Sequence, residues 1–154
     1  MAQVYEMNAP ITETLKVIGF DVPIGLLWYQ ALENDAEAQN TLGTAFLEGV
    51  GVKQDLEAAY FWYKSACNLG CLAAMSNLAL MYVEGLHVQR NFSMARYLVE
   101  EAASRGCPHA ENNLGVIVGF GLTEEADETV AKVHFAMAAR KGVCAARSNL
   151  EMIA

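Results

Sequence analysis

Residues 35–70 read DAEAQNTLGTAFLEGVGVKQDLEAAYFWYKSACNLG. The same plan returns as CLAAMSNLALMYVEGLHVQRNFSMARYLVEEAASRG over 71–106 and as CPHAENNLGVIVGFGLTEEADETVAKVHFAMAARKG over 107–142. Ala38, Ala74, Ala110 and Ala146 share one register, and so do Leu42, Leu78, Leu114 and Leu150. Gly49, Gly85 and Gly121 recur at the same spacing, as do Ala59, Ala95 and Ala131, then Ala66, Ala102 and Ala138, then Gly70, Gly106 and Gly142. So many coincidences at one period identify a repeat array, in which each unit buries its apolar face only by stacking on its neighbours.

Within a unit, the first segment runs from Ala36 to Glu48 as a helix and stops at Gly49, because glycine enters the left-handed region without strain. Asp55 can accept the free N–H groups that open a second helix, which ends at Gly70. Asn91 and Asp127 take the cap position in the next two units, and Pro108 suits a first helical turn. The pattern predicts an all-α fold, a right-handed α–α superhelix of 36-residue helix pairs, with about eight helices and no sheet. It also predicts positive φ at Gly70, Gly106 and Gly142. A shortened fourth unit occupies 143–154. Residues 1–34 read as an N-terminal helical cap. Its first helix would open at Asn8-Ala9-Pro10, present Ile11, Leu15 and Ile18 on one face and stop at Gly19; a degenerate second helix would span Val22 to Asn34 with Trp28-Tyr29.

The chain has 154 residues, 54% of them hydrophobic and 18% charged, which excludes a disordered chain. No stretch approaches the roughly 20 apolar residues of a membrane helix, and the N-terminus lacks the basic segment of a secretion signal, so a cytoplasmic address is expected. The net charge of −8 disfavours nucleic acid as a partner. Residues 1–60 carry nine acids against Lys16 and Lys53, while the rest is nearly balanced. That field would steer a basic partner toward the N-terminal half, or serve only solubility.

The chemistry-bearing residues form no familiar site. His87, His109 and His134 are scattered and lack metal-ligand spacing, so surface or packing roles are expected and no metal or other cofactor. Cys71 and Cys107 lie one repeat apart, roughly 10 Å, beyond disulfide reach. The four thiols are expected to be free. No nucleophile, base and orienting group follow in a recognisable order, which argues against an enzyme.

Unit one resembles the Sel-one-like repeat, a relative of the tetratricopeptide repeat, whose pattern is A-x-A-x-x-N-L-G-x-x-Y, then G-x-G-V-x-x-D, then A-x-x-W-Y-x-x-A-A-x-x-G. The resemblance covers residues 35–154. Units two and three depart from it: His87 replaces the second glycine of Gly49-x-Gly51, the loop GFGLTEEADET is unlike the pattern, and His134 stands where unit one has Trp62. The resemblance implies that the first helices line a concave groove, with the Asn before Leu-Gly gripping a peptide backbone. On that reading Asn77 and Asn113, with Asn112 one residue earlier, form one partner-binding row, and Thr44, Leu80 and Val116, three residues after Thr41, Asn77 and Asn113, form the row beside it. An amide both donates and accepts, so it reads backbone regardless of side chain. The competing reading has these amides stiffen the stack.

The rows hold no Lys or Arg, so a terminal carboxylate is not the expected ligand. Glu124, Glu125, Asp127 and Glu128 form either a helix cap or an acidic docking knob. Two functional classes follow. One is a non-catalytic module, a bacterial adaptor, regulatory or immunity-type protein that binds another protein or peptide, with a homodimer through the last half-repeat as a further partner. The alternative is a small enzyme or metal-binding protein on a helical scaffold.

Overall fold

A computed structural model describes residues 14–17, 20–123 and 125–153. The chain divides into two compact units, Met1–Cys71 and Leu72–Ala154.

The first unit contains β1 (Thr14–Val17), β2 (Phe20–Pro23), α1 (Ile24–Leu32), α2 (Ala36–Glu48) and α3 (Leu56–Asn68). The two strands pair antiparallel, Thr14 opposite Pro23 and Val17 opposite Phe20. This corrects two expectations. The helix sought between Asn8 and Gly19 is a strand over 14–17, and the fold carries a two-stranded sheet where none was expected; Asn8, Pro10, Ile11, Ile18 and Gly19 lie outside the described residues. Val17, Phe20 and Val22 are strand-favouring types.

The second helix of the cap is present as α1, with Ile24, Leu27 and Ala31 buried. It ends with Asp35 N–H on Gln30 C=O at 3.0 Å and Asn34 N–H on Ala31 C=O at 3.2 Å, with Asn34 at φ 63°. The same two bonds close α3 one period later, from Cys71 to Ala66 at 3.0 Å and from Gly70 to Cys67 at 2.9 Å. The 36-residue plan therefore extends back into α1, with Asn, the non-glycine residue that best tolerates the left-handed region, in the glycine's place. Trp28 packs edge-on against Phe46 at 5.8 Å and Trp62 at 5.5 Å. Where α2 meets α3, Gly43 lies under the Tyr63 ring so closely that an added Cβ would stand 2.7 Å from it.

The second unit contains α4 (Leu72–Glu84), α5 (Phe92–Ser104), α6 (Pro108–Gly119), α7 (Glu128–Arg140) and α8 (Cys144–Met152), making eight helices among the described residues. Ala79, Ala95, Val99, Ala102, Leu114 and Ile117 form one buried cluster, and Ala131, Phe135, Ala138, Val143 and Ala146 another. Asp55, Asn91 and Asp127 cap their helices by accepting the N–H three residues on, at 3.0, 2.9 and 3.0 Å. Pro108 opens α6 as expected.

The connections within the helix pairs are alike in all three repeats despite their different sequences. Val50 donates to Ala45, Leu86 to Met81 and Leu122 to Ile117, each at 3.0 Å. Asp55, Asn91 and Asp127 donate to Phe46, Tyr82 and Val118 at 3.0, 2.9 and 3.1 Å. His87 accepts φ 62° where Gly51 has 72°. The unfamiliar loop of the third repeat keeps these two closing bonds because its length is unchanged, although Gly121 N–H reaches Val118 C=O at 3.2 Å, three residues back, where Gly85 N–H reaches Met81 C=O at 2.9 Å, four back.

Gly70, Gly106 and Gly142 have φ of 84°, 90° and 91°, the positive values expected. A Cβ added at Gly106 would meet nothing within 4 Å. The cost of Gly106→Ala is therefore one of backbone conformation alone, and urea unfolding should show a loss of about 1 kcal/mol. Unchanged or raised stability would contradict this.

Candidate partner-binding surface

Thr44 belongs to the first unit and spends its hydroxyl there. Its Oγ1 donates to Asn40 C=O at 3.2 Å and accepts from the Tyr63 hydroxyl at 3.0 Å. Burial pushes the Tyr63 phenol up to about 12, with the Thr44 bond acting weakly in the opposite direction. Tyr63 therefore remains a neutral donor, and Thr44 acts as a tie between α2 and α3.

The remaining residues of the expected groove lie in the second unit. Asn77 and Leu80 sit three residues apart on α4, Asn113 and Val116 three apart on α6, and the two helices touch. Residues at that offset share one face of a helix. Leu80 is 44% exposed; Asn77, Asn113 and Val116 are half-buried. Val116 packs against the cluster around Phe135.

The amides of α6 and α8 form a ladder within the chain. Asn113 Nδ2 donates to Ser76 Oγ at 2.9 Å, Asn112 Nδ2 to Asn113 Oδ1 at 3.4 Å, and Asn149 Nδ2 to Asn112 Oδ1 at 2.9 Å. Ser76 and Asn112 are buried. Each long-range rung joins residues 37 apart, so an amide reaches the residue just before its own equivalent in the preceding repeat. The stack-stiffening reading therefore accounts for Asn149, for Asn112 and for half of Asn113. Asn113 keeps one N–H and one carbonyl lone pair beyond the ladder, and the Ser76 bond fixes its orientation.

The acidic segment divides in the same way. Asp127 is the cap of α7, and Glu128 begins the helix, where a carboxylate favours the dipole. Glu125 is exposed, and Glu124 lies outside the described residues. Arg96 binds Glu100 at 2.7 Å and donates to Thr123 Oγ1 at 3.0 Å, fastening this loop to α5 beside a cleft of about 220 Å³.

One pair was missed by reading residues singly. His134 Nδ1 lies 2.9 Å from Glu111 Oε2, and Glu111 is only 5% exposed. Register held the clue, since Glu111 and His134 stand where unit two has Met75 and Leu98 and unit one has Gln39 and Trp62. The four cysteines are free; burial pushes the Cys67 thiol up to about 12, with Cys71 adding to the shift.

Among the described residues, no helix is long and apolar enough to cross a membrane. The chain is similar to a Sel1 repeat protein from Oxalobacter formigenes, with 29% identity and a TM-score of 0.68 over 83% of this chain and 96% of that one. It is also similar to c5321, a protective antigen present in uropathogenic Escherichia coli strains that displays an SLR fold, with 28% identity and a TM-score of 0.69 over 88% of this chain. The match spans 30% of the c5321 chain. No curated protein matches. The family model for the Sel1 repeat matches residues 36–71, 72–107 and 108–143, the period read above with its phase one residue later. Three consecutive matches over helix pairs with equivalent second-helix caps, glycine stops and two shared loop bonds place the chain in the Sel1 repeat family.

Proposed function

We propose that this chain is a non-catalytic binding module, of adaptor, regulatory or immunity type in a bacterial cytoplasm. It holds a segment of a partner protein on the strip formed by Asn77, Leu80, Asn113 and Val116. Sel1 repeats generally mediate protein–protein interaction. The observation that carries this reading is Asn113. Its amide is anchored by Ser76 of α4, the helix that also carries the exposed Leu80, and it retains one donor and one acceptor beyond the ladder. An amide already fixed loses little further freedom on binding, so its remaining hydrogen bonds contribute more of their energy to affinity. The acidic excess in residues 1–60 favours a basic partner through steering.

The test is capture from extracts of the source cell by immobilised wild-type protein, with the captured species identified and its affinity remeasured in purified form. Asn113→Ala should weaken binding by about fivefold or more, the equivalent of one hydrogen bond, and Leu80→Asp by more than that. Circular dichroism should be unchanged for Leu80→Asp. Full binding by the double variant Asn77→Ala, Asn113→Ala would move the site elsewhere.

A further inference from the structure

Taking the strip of Asn77, Leu80, Asn113 and Val116 as the partner's seat, as proposed above, we infer that the segment it holds is a polyproline-II helix, apolar at every third position and basic at one end. The interval between the rungs selects that conformation. Asn113 Nδ2 donates to Ser76 Oγ from α6 to α4, and Asn149 Nδ2 to Asn112 Oδ1 from α8 to α6, both at 2.9 Å. The same bond in the same register sets these helices at one interval, and packed helices lie about 8–10 Å apart. A segment crossing them must repeat at that interval and present the same face at each rung. A β-strand rises about 3.3 Å per residue, so three residues match the interval, but residues three apart point to opposite faces. An α-helix matches with seven residues, about 10.5 Å, on one face, yet its N–H and C=O groups bond one another and leave the remaining donor and acceptor of Asn113 no backbone to read. A polyproline-II helix advances about 9.3 Å in each three-residue turn, returns to the same face and makes no internal hydrogen bonds. It alone meets both the interval and the amide.

The rest of the face fits such a segment. Asn77, Leu80 and Glu84 follow at helical spacing along one face of α4, and Asn113, Val116 and Phe120 hold the same register on α6 and its C-cap. Phe120 is 67% exposed, and exposed aromatic rings are what proline-rich segments dock on. Glu84 is exposed and, among the described residues, forms no ion pair. These rows contain no Lys or Arg, so the charge they present complements a basic residue at the Glu84 and Phe120 end.

Selection of a random dodecapeptide display library on the immobilised full chain tests this. Enriched peptides should carry proline or apolar residues at every third position, with Arg or Lys toward one end. By fluorescence anisotropy, the tightest of them as a synthetic peptide should lose about fivefold or more in affinity for Asn113→Ala and for Glu84→Lys, and more than that for Phe120→Ala. Shifting one of its spaced residues by a single position should cost about tenfold. Circular dichroism of Glu84→Lys and Phe120→Ala should be unchanged. Enriched peptides with apolar residues two apart, or at helical spacing without proline, would overturn the polyproline-II ligand and leave the strip in place if Asn113→Ala still weakens them. Peptides indifferent to all three variants would overturn the strip as well. A selection that enriches nothing would overturn the polyproline-II ligand alone, because capture of a folded partner reads the strip separately.

Discussion

Gly115→Ala will destabilise the protein by about 1 kcal/mol, and Phe135→Val in the same chain will recover most of that loss. Two effects oppose each other at position 115. Replacing a mid-helix glycine by alanine favours the helix by about 1 kcal/mol. Against this, the new methyl would stand 2.7 and 2.8 Å from two ring carbons of Phe135, which is itself buried. Overpacking of a tight core costs about 1–3 kcal/mol, and here it wins because α6 and α7 must separate. The remedy is written in the neighbouring repeat. Gly43 faces Tyr63 and Gly115 faces Phe135, whereas the same register in unit two holds Ala79 and Val99, both in one buried cluster. A large residue on the second helix goes with glycine on the first, and a smaller one with alanine. Phe135→Val alone will destabilise by leaving a cavity beneath Gly115. Urea unfolding of both single variants and the double should show a favourable coupling of about 2 kcal/mol. Additive effects would show that the two positions do not share one space.

The second large effect belongs to the Glu111–His134 pair. His134→Leu should cost about 3 kcal/mol, because it strands a buried carboxylate without its 2.9 Å partner. Glu111→Met should cost less, since His134 is partly exposed and water can serve its ring nitrogen. The double variant, which installs the Met75 and Leu98 solution of unit two, should return to within about 1 kcal/mol of wild type or exceed it. Met75 and Leu98 are partly buried against the unit-two core, so this pair of side chains already packs in the same position. Thermal or urea unfolding of the three variants decides the matter. Wild-type stability in His134→Leu would mean that Glu111 does not depend on the imidazole.

Both tests rest on features that local reading reached only in part. The helix pairs were legible because their signals are local. Asp55, Asn91 and Asp127 find their N–H partners three residues away, and Gly70, Gly106 and Gly142 turn the chain where they stand. Stretch 14–23 misled because Leu15 and Ile18 fit a helical face while Val17, Phe20 and Val22 fit strands. A segment that short satisfies both periods, and the choice falls to pairing.

The amino-acid sequence by itself determined the repeat, its period, its caps and stops, and so the family, since each depends on residues within one or two turns of one another. Only the tertiary structure decided how the polar groups were spent. Whether Asn113 bonds Ser76 depends on how α6 stacks on α4, and whether Glu111 finds His134 and Thr44 faces Tyr63 depends on helix-to-helix distances set by the volumes of Gly43, Tyr63, Gly115 and Phe135. A hydrogen bond is decided by tenths of an ångström across a packed interface, and side-chain volumes set that spacing only when all of them are in place.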